Sequence, residues 1–413
     1  MITRRQSFRR VAAALGAVAA GRAQPIGGQT PVQKVDPRPA RVDTPVRDSS
    51  FDPWVEVRAE HFVHNVTEIR RRVEGRPIVG VIKNNGYGCG TAVVGRLLDG
   101  RPEIPLLAVV KLSEAVTLRD AGVTKPVLLM GPCDETSFET ALRHDIEPMV
   151  YTPVGDVFDR IAARRQQPAR IHICVDTGIG RVGVPYREAP ALIRDLAARR
   201  SVRVASTMMT FSEDPALDKE QLTRFTALCS ALEREGIALG PKHAASSFAL
   251  FQRPEGFLDR VRPGMAIFGV YPETDFRTSG IMDLRPVLSL KARVAYVKRL
   301  LPGESAGYNR AYIATRPVWV ATLPVGHADG WPRLAAKGAR VDIGGSLYPV
   351  IATVSASHTI VEIGDAPTVA VGDTATFFGW TPGARPEDVS AACGASVYDL
   401  TMHLNALLPR RVV

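Results

Sequence analysis

At 413 residues and 45% hydrophobic composition, the chain is long enough for two domains with cores of their own and is not a disordered polymer. Its net charge of +10 invites a nucleic-acid partner, but half of that charge comes from Arg4, Arg5, Arg9, Arg10 and Arg22 in a leading segment that holds no acid. The remainder is only mildly basic, without lysine or arginine runs interleaved with aromatics, which argues against nucleic-acid binding.

The basic start is followed by VAAALGAVAA (residues 11–20), too short to span a bilayer as a helix, and by Gly21, Arg22 and Ala23. A basic region, a short apolar region and a small-x-small exit together describe a cleavable secretory signal over residues 1–23. The TRRQSF run (3–8) resembles a twin-arginine signal with Phe8 one position late, so a periplasmic protein is expected. Residues 24–50 are rich in Pro, Gly and charge and read as a solvated linker. No later stretch is apolar for the roughly 18 residues a span needs, so no membrane partner is expected. Cys89, Cys133, Cys174, Cys229 and Cys393 are widely spaced and odd in number, which excludes a zinc ribbon or a small disulfide scaffold. In an oxidising compartment one or two bridges can form, with their pairing left open.

From residue 51, strand-like apolar runs alternate with helical patterns. PIVGVIKNNGYGCG (77–90) opens the series with a buried run that stops at Lys83. LLAVV (106–110), PVLLMG (126–131), EPMVY (147–151), RIHICVD (170–176), VRVASTM (202–208), GPKHAAS (240–246) and DRVRPG (259–264) follow. Helices are expected between them over 112–121, 154–165, 187–199 and 219–235. Eight such strands predict an α/β fold, a (β/α)8 TIM-like barrel over 51–284. Beyond it, LSLKARVAYVKRLL, PVWVATLPV, ARVDIGGSLYPVIATV, HTIVEIG and DTATFFGW alternate with period two between Gly, Pro and Asp turns. Residues 285–413 are therefore read as a C-terminal antiparallel β domain, with WVEVR at 54–58 as a candidate to complete it.

Barrel active sites lie where strands meet their following loops. Strand one ends in Lys83 and Tyr87, strand five in Asp176, Thr177, Gly178, Gly180 and Arg181, strand seven in His243, Ser246 and Ser247, and strand eight in Arg262, Gly264 and Met265. A lysine there can lose its proton by desolvation and form a Schiff base with a carbonyl, although a strand-end lysine can also simply snorkel. Backbone N–H groups at Gly264 and Met265, the hydroxyls of Ser246 and Ser247 and the Tyr87 phenol would suit a phosphate, with Arg262 facing the far end of an aromatic ring. A rim salt bridge for Arg181 and a helix N-cap for the serines remain open as alternatives.

These motifs resemble those of the alanine racemase family. VIKNNGYGCG is similar to that family's V-x-K-A-N-A-Y-G-H-G, VDTGIGRVGV to its L-D-T-G-M-G-R-L-G, and VRPGMAIFGVYP to its V-R-x-G-I-A-L-Y-G. GESAGYNRAY, ATLPVGHADGWPR and SVYDL resemble its later motifs, in order, so the likeness runs from about residue 52 to 410. The resemblance implies an amino-acid racemase dependent on pyridoxal 5'-phosphate, with a homodimer that shares active sites. Lys83 would carry the cofactor and move a proton on one face of Cα, and Tyr308 from the partner subunit would serve the other face. Two bases are needed because one group cannot readily remove a proton from one face and return it to the other. Burial alone raises a phenol's pKa, so a positive neighbour or a hydrogen bond has to lower that of Tyr308. Arg262 would meet the pyridine nitrogen; Tyr87, Ser246, Ser247, Gly264, Met265 and Tyr398 would surround the phosphate; Arg181 and Ala356 would lie along the substrate. No metal is implied.

Several family positions are altered. Cys174 stands where many members carry a lysine, Cys89 where a histidine is usual, and Thr210 where another histidine follows strand six. Ser355, Ala356 and Ser357 replace a Cys-Met-Asp stretch, His327 a second interface tyrosine and Ser246 an asparagine. The expected reaction is racemisation of alanine or a broader range of amino acids. Different pyridoxal chemistry, such as epimerisation in specialised metabolism, and a cofactor-bearing protein without turnover are the two alternatives.

Overall fold

A computed structural model describes residues 51–413; the expected signal and linker lie outside the described residues. The first sheet is parallel and runs Val79–Val81, Leu106–Val109, Val127–Leu129, Ile146–Val150, Ala169–Asp176, Val202–Met208 and Lys242–His243. Nearly every residue of the first four strands is apolar and all are buried, as a sheet covered on both faces requires. The eighth expected strand is not a regular one. Residues 260–263 instead bridge the two ends of the sheet, with Arg260 paired to His243 and Val261 to Ile78 in parallel sense. Val79 and Val81 donate to the carbonyls of Val261 and Pro263, which closes the sheet into a barrel. Pro263 explains the irregularity, since it offers no N–H to continue a ladder.

Helices Leu112–Asp120, Gly155–Arg165, Ala189–Ala198 and Pro215–Arg234 cover the outside, close to the periodic segments of the sequence. Pro215–Arg234 starts four residues earlier than its apolar periodicity indicates, because Asp214 caps it by accepting from Leu217 N and Pro215 suits a first helical turn.

The second sheet has nine strands. In spatial order they are Tyr296–Leu300, Val318–Leu323, Thr359–Gly364, Ser346–Ile351, Arg340–Ile343, Thr374–Phe378, Leu288–Arg293, Trp54–Val57 and Arg410–Val412. All its pairings are antiparallel except the last, where Val55 lies parallel to Arg410. WVEVR thus enters this sheet beside the chain's final strand. Two short helices, Pro386–Cys393 and Val397–Met402, interrupt the expected all-β pattern. The second matters for function, because it packs on residues 83–87 at the barrel mouth.

The two sheets belong to one compact unit. Gly269, just past the turn Met265–Phe268, lies at their junction with φ +73°, and a Cβ there would sit 1.7 Å from the Arg285 carbonyl oxygen. Gly269→Ala is expected to cost about 2 kcal/mol or more through both strain and clash. Chemical denaturation measures it; a loss under about 0.5 kcal/mol would show that the junction yields.

Candidate active site

Lys83 opens a turn with an unusual backbone. Asn84, Asn85, Gly86 and Tyr87 take φ values of 53°, 57°, 59° and 51°, a run of left-handed residues. The conformation costs L-residues roughly 1–2 kcal/mol each, least for Asn and Gly, which fill three of the four positions. Glu114, a buried carboxylate on a neighbouring helix, accepts from Asn85 N at 3.0 Å and from Lys111 N at 3.2 Å, and so ties the turn to the next loop. Gly88 closes against the second domain, where a Cβ would lie 2.1 Å from the Thr401 carbonyl oxygen. The turn leaves Lys83 half-buried at the mouth and drives Tyr87 inward, stacked on Phe268 with centroids 4.6 Å apart.

Around Tyr87 the structure assembles the expected cup. Its phenol makes no hydrogen bond among the described residues and lies so near Gly264 that a Cβ there would be 2.1 Å away. Ser247 Oγ accepts from Gly264 N at 3.0 Å and Ala266 N at 3.1 Å, so its own O–H is left to donate. The expectation for Gly264 changes accordingly: its N–H is taken by Ser247, and Met265 N–H is the amide left for an anion. Helix Val397–Met402 brings Tyr398 close enough to Tyr87 for the two phenols to interact electrostatically. Ser246 lies near the Glu213 carboxyl on the loop after strand six and lowers its pKa against the larger effect of burial.

Arg262 is buried at 7% exposure. Its guanidinium donates to His243 Nδ1 at 2.9 Å, to the Met209 carbonyl at 2.9 Å and to Thr210 Oγ1 at 3.0 Å. Thr210, one of the altered positions, therefore helps hold the arginine. Behind it, His243 Nε2 meets Ser206 Oγ at 2.9 Å, Ser206 Oγ meets His172 Nδ1 at 2.6 Å, and His172 Nε2 meets Glu147 Oε2 at 2.8 Å. The Nε–H of Arg262 has no partner among the described residues.

Burial and electrostatics both lower the pKa of Lys83. Burial pushes its pKa down, and the charges of Arg181 and Arg262 push the same way against the opposing Glu114. Arg262 is itself lowered, to about 10, by burial and by Arg181, against the Cys174 thiol, so it stays charged at neutral pH. Cys174, buried with Sγ 3.6 Å from the Val182 carbonyl, is pushed up to about 11 by burial and stays a thiol. Arg181 reaches the mouth on an exposed loop pinned by Asp176, which accepts from Gly178 N at 2.8 Å. Its charge bears on Lys83, Arg262 and Cys174 alike. Glu213 has its pKa raised by desolvation and by Asp218 and Glu273, while Ser246 and Arg181 oppose the shift.

The second domain holds the remaining expected residues apart from this cluster. Tyr308 is 72% exposed, on a turn whose Asn309 and Arg310 are also left-handed. Gly307 packs on Ala352, and the following loop reaches Ala356, whose carbonyl accepts from Ala328 N beside His327. Tyr308, His327 and Ala356 thus lie on one exposed part of the sheet domain, whereas the charged groups that bear on Lys83 all come from the barrel.

The residues fit pyridoxal phosphate. A buried arginine has one N–H unspent, a half-buried amine is poised to lose its proton, and two phenols, a hydroxyl and an amide converge on a glycine-lined cup. Glu114 and the chain behind Arg262 escaped the sequence reading. Glu114 had a signal, a carboxylate three residues into a helix, whereas Glu147, His172 and Ser206 sit in apolar strand runs that read as core. Among the described residues no three His, Cys, Asp or Glu side chains are placed to hold a metal, and all five cysteines are free.

Lys83→Ala is expected to abolish the visible absorbance of bound cofactor, and retention of that band would refute the anchor. Arg181→Met removes a cation that depresses the Lys83 pKa, so the pH at which cofactor attaches half-maximally should move upward. A spectrophotometric titration with no shift, or a downward one, would contradict the electrostatic account.

The chain matches the family descriptions "Alanine racemase, N-terminal domain" over residues 57–272 and "Alanine racemase, C-terminal domain" over 287–412. It is 33% identical over 366 residues to an alanine racemase of Desulforamulus reducens, covering 86% of this chain and 98% of that one. It is 30% identical over 368 residues to an alanine racemase of Clostridium tetani, covering 86% and 94%. Among solved structures, an alanine racemase of Streptomyces lavendulae superposes with a TM-score of 0.82 at 26% identity, covering 89% of this chain and 98% of that one. One from Bacillus anthracis with bound L-Ala-P superposes with a TM-score of 0.79 at 26% identity, covering 88% and 95%. With both domains matched in order and the cofactor cradle assembled at the barrel mouth, the chain belongs to the alanine racemase family of pyridoxal-phosphate-dependent isomerases.

Proposed function

We propose that this enzyme interconverts L- and D-alanine, or a somewhat broader range of small amino acids, by moving the Cα proton between Lys83 and Tyr308. The observation that carries the reading is the half-buried Lys83 amine, depressed by Arg181 and Arg262, beside an arginine with an unspent N–H. The names of the relatives support alanine as the first substrate to try.

When bound, pyridoxal phosphate supplies an electron sink that makes the substrate Cα–H acidic. Lys83 would hold the cofactor and, with its amine free, would take or give the proton on one face. Arg262, charged at neutral pH, would offer its free N–H to the ring nitrogen and, as a donor that does not readily give up its proton, would leave that nitrogen unprotonated. Arg181 offers a cation at the mouth for the substrate carboxylate. Tyr308 serves the opposite face and comes from a second subunit; its exposure in the single chain supports a shared site in a homodimer. His327 and Ala356, beside it, would border the substrate from that subunit. The leading basic and apolar segment supports export by the twin-arginine route, with a mature N-terminus near residue 24 in a periplasmic fraction.

Purified enzyme in deuterated water is expected to exchange the Cα–H of L-alanine. Formation of the substrate–cofactor link without exchange on any amino acid in a panel would overturn the racemase reading. Tyr308→Phe should slow proton removal from one enantiomer by about 10²–10³-fold and leave the other much less affected. Equal slowing of Cα–H exchange from both enantiomers would count against its role, and an active monomer by light scattering would refute the shared site.

A further inference from the structure

The interior of a barrel is ordinarily filled with branched apolar side chains, yet here a polar column runs through it. Ser206 and His243 are fully buried, His172 is 1% exposed and Glu147 7%. Each cost free energy to desolvate, and a column of this kind is tolerable only if every proton has an acceptor. At the inner end stands Arg262, which can only donate. Glu147 closes the outer end. Burial works against its carboxylate, but hydrogen bonds from His172 and Arg170 outweigh that and keep it ionised, so it can only accept. Arg170 Nε completes its shell at 2.6 Å.

Those two ends fix the direction of everything between them. His243 Nδ1 has to accept from Arg262, so the ring's proton sits on Nε2 and goes to Ser206 Oγ. Ser206 has no further partner among the described residues, so its O–H turns to His172 Nδ1. His172 is then protonated at Nε2 and donates to Glu147. One arrangement pairs every proton, and it requires a neutral His243. Burial and the Arg262 charge push the His243 pKa well below its ordinary value and so agree with it.

We propose that Ser206, His172 and Glu147 are positioning residues for catalysis: a one-way hydrogen-bond column that locks His243 as an acceptor and thereby holds Arg262 with its Nε–H toward the cofactor chamber. None of the three touches the chamber. Their effect reaches it through the tautomer and orientation of one imidazole, as outer partners orient inner ligands in other sites. Without the hydroxyl of residue 206, His243 Nε2–H faces an unsatisfied gap, the ring is free to turn, and Arg262 loses its only nitrogen acceptor.

The inference rests on the racemase reading only for its kinetic readout, and the first test avoids cofactor and substrate altogether. In ¹⁵N-histidine spectra of the apoprotein, assigned by replacing each histidine in turn, His243 and His172 should both be neutral with the proton on Nε2. A doubly protonated His243, or one carrying its proton on Nδ1, overturns the proposal. Ser206→Ala should blur the His243 signature and lower kcat by about tenfold with KM changed less than about twofold, since Arg262 faces cofactor and not substrate. Ser206→Thr, which restores the hydroxyl, should recover both. If Ser206→Ala merely lowers the melting temperature while the His243 signals and kcat stay unchanged, the column is structural and the proposal fails. Should Ser206→Ala not fold, Glu147→Gln takes its place. It puts an amide donor against Arg170 Nε or His172, and an unaltered His172 tautomer together with unaltered kcat would equally overturn the role. Intact tautomers in a protein that racemises no amino acid would sink the proposed reaction and leave the column standing.

Discussion

Three cationic groups share one barrel mouth, and most of the site follows from that crowding. Lys83, Arg181 and Arg262 repel one another across a partly dry space. The carboxylate nearest to Lys83, Glu114, is already committed to backbone N–H groups. The crowding resolves in the group that can change its charge. Arginine cannot deprotonate usefully, so the strain falls on the lysine, whose pKa is lowered by burial and by both guanidinium charges; each pKa unit of depression corresponds to about 1.4 kcal/mol. A phosphate and a carboxylate are the ligands such a chamber takes most readily, and both belong to the chemistry of an amino acid on pyridoxal phosphate.

Holding the lysine there requires local strain that the rest of the chain compensates. Four left-handed residues in a row would not persist in isolation. Glu114 grips the turn from the barrel side, and Gly88 admits the Thr401 carbonyl from the second domain. Tyr87 is the position where strain is least forgiven, since it has neither the glycine nor the asparagine tolerance. Its ring is locked by Phe268 on one face and by the absence of a side chain at Gly264. The cup for the phosphate is thus built from pieces that constrain one another, and a change at any one of them displaces a neighbour.

Strand ends were legible in the sequence because an apolar run that stops at Lys83, Asp176 or Arg262 announces both the strand and its mouth. The closing strand was legible as a segment but not in its geometry, since Pro263 reduces it to bridges. The helices 386–393 and 397–402 escaped because they are short and lie among period-two segments, although Arg385-Pro386 and Ser396 mark their starts. The polar column behind Arg262 was the least legible feature. Glu147, His172 and Ser206 are separated by 25 and 34 residues, and each alone looks like an isolated polar side chain in a strand. Only the parallel pairing of three neighbouring strands turns them into a sequence of donors and acceptors.

The same geometry separates what holds the cofactor from what meets the substrate. Residues that fit the cofactor are interlocked within one chain: Tyr87 with Gly264 and Phe268, Ser247 with two amides, Arg262 with His243 and Thr210. The altered positions on the sheet domain are of another kind. His327, Ala356 and Ser357 are exposed, and Ser355 uses its hydroxyl to hold its own turn by accepting from His358 N at 2.9 Å. Substitutions there disturb no buried pairing, so they alter an exposed surface at little cost in stability. Thr210 is the exception, because its hydroxyl accepts from the buried Arg262 guanidinium. The two kinds of position therefore differ in what a substitution has to respect. The exposed loops can vary independently, whereas a change at Thr210 has to preserve an acceptor for Arg262.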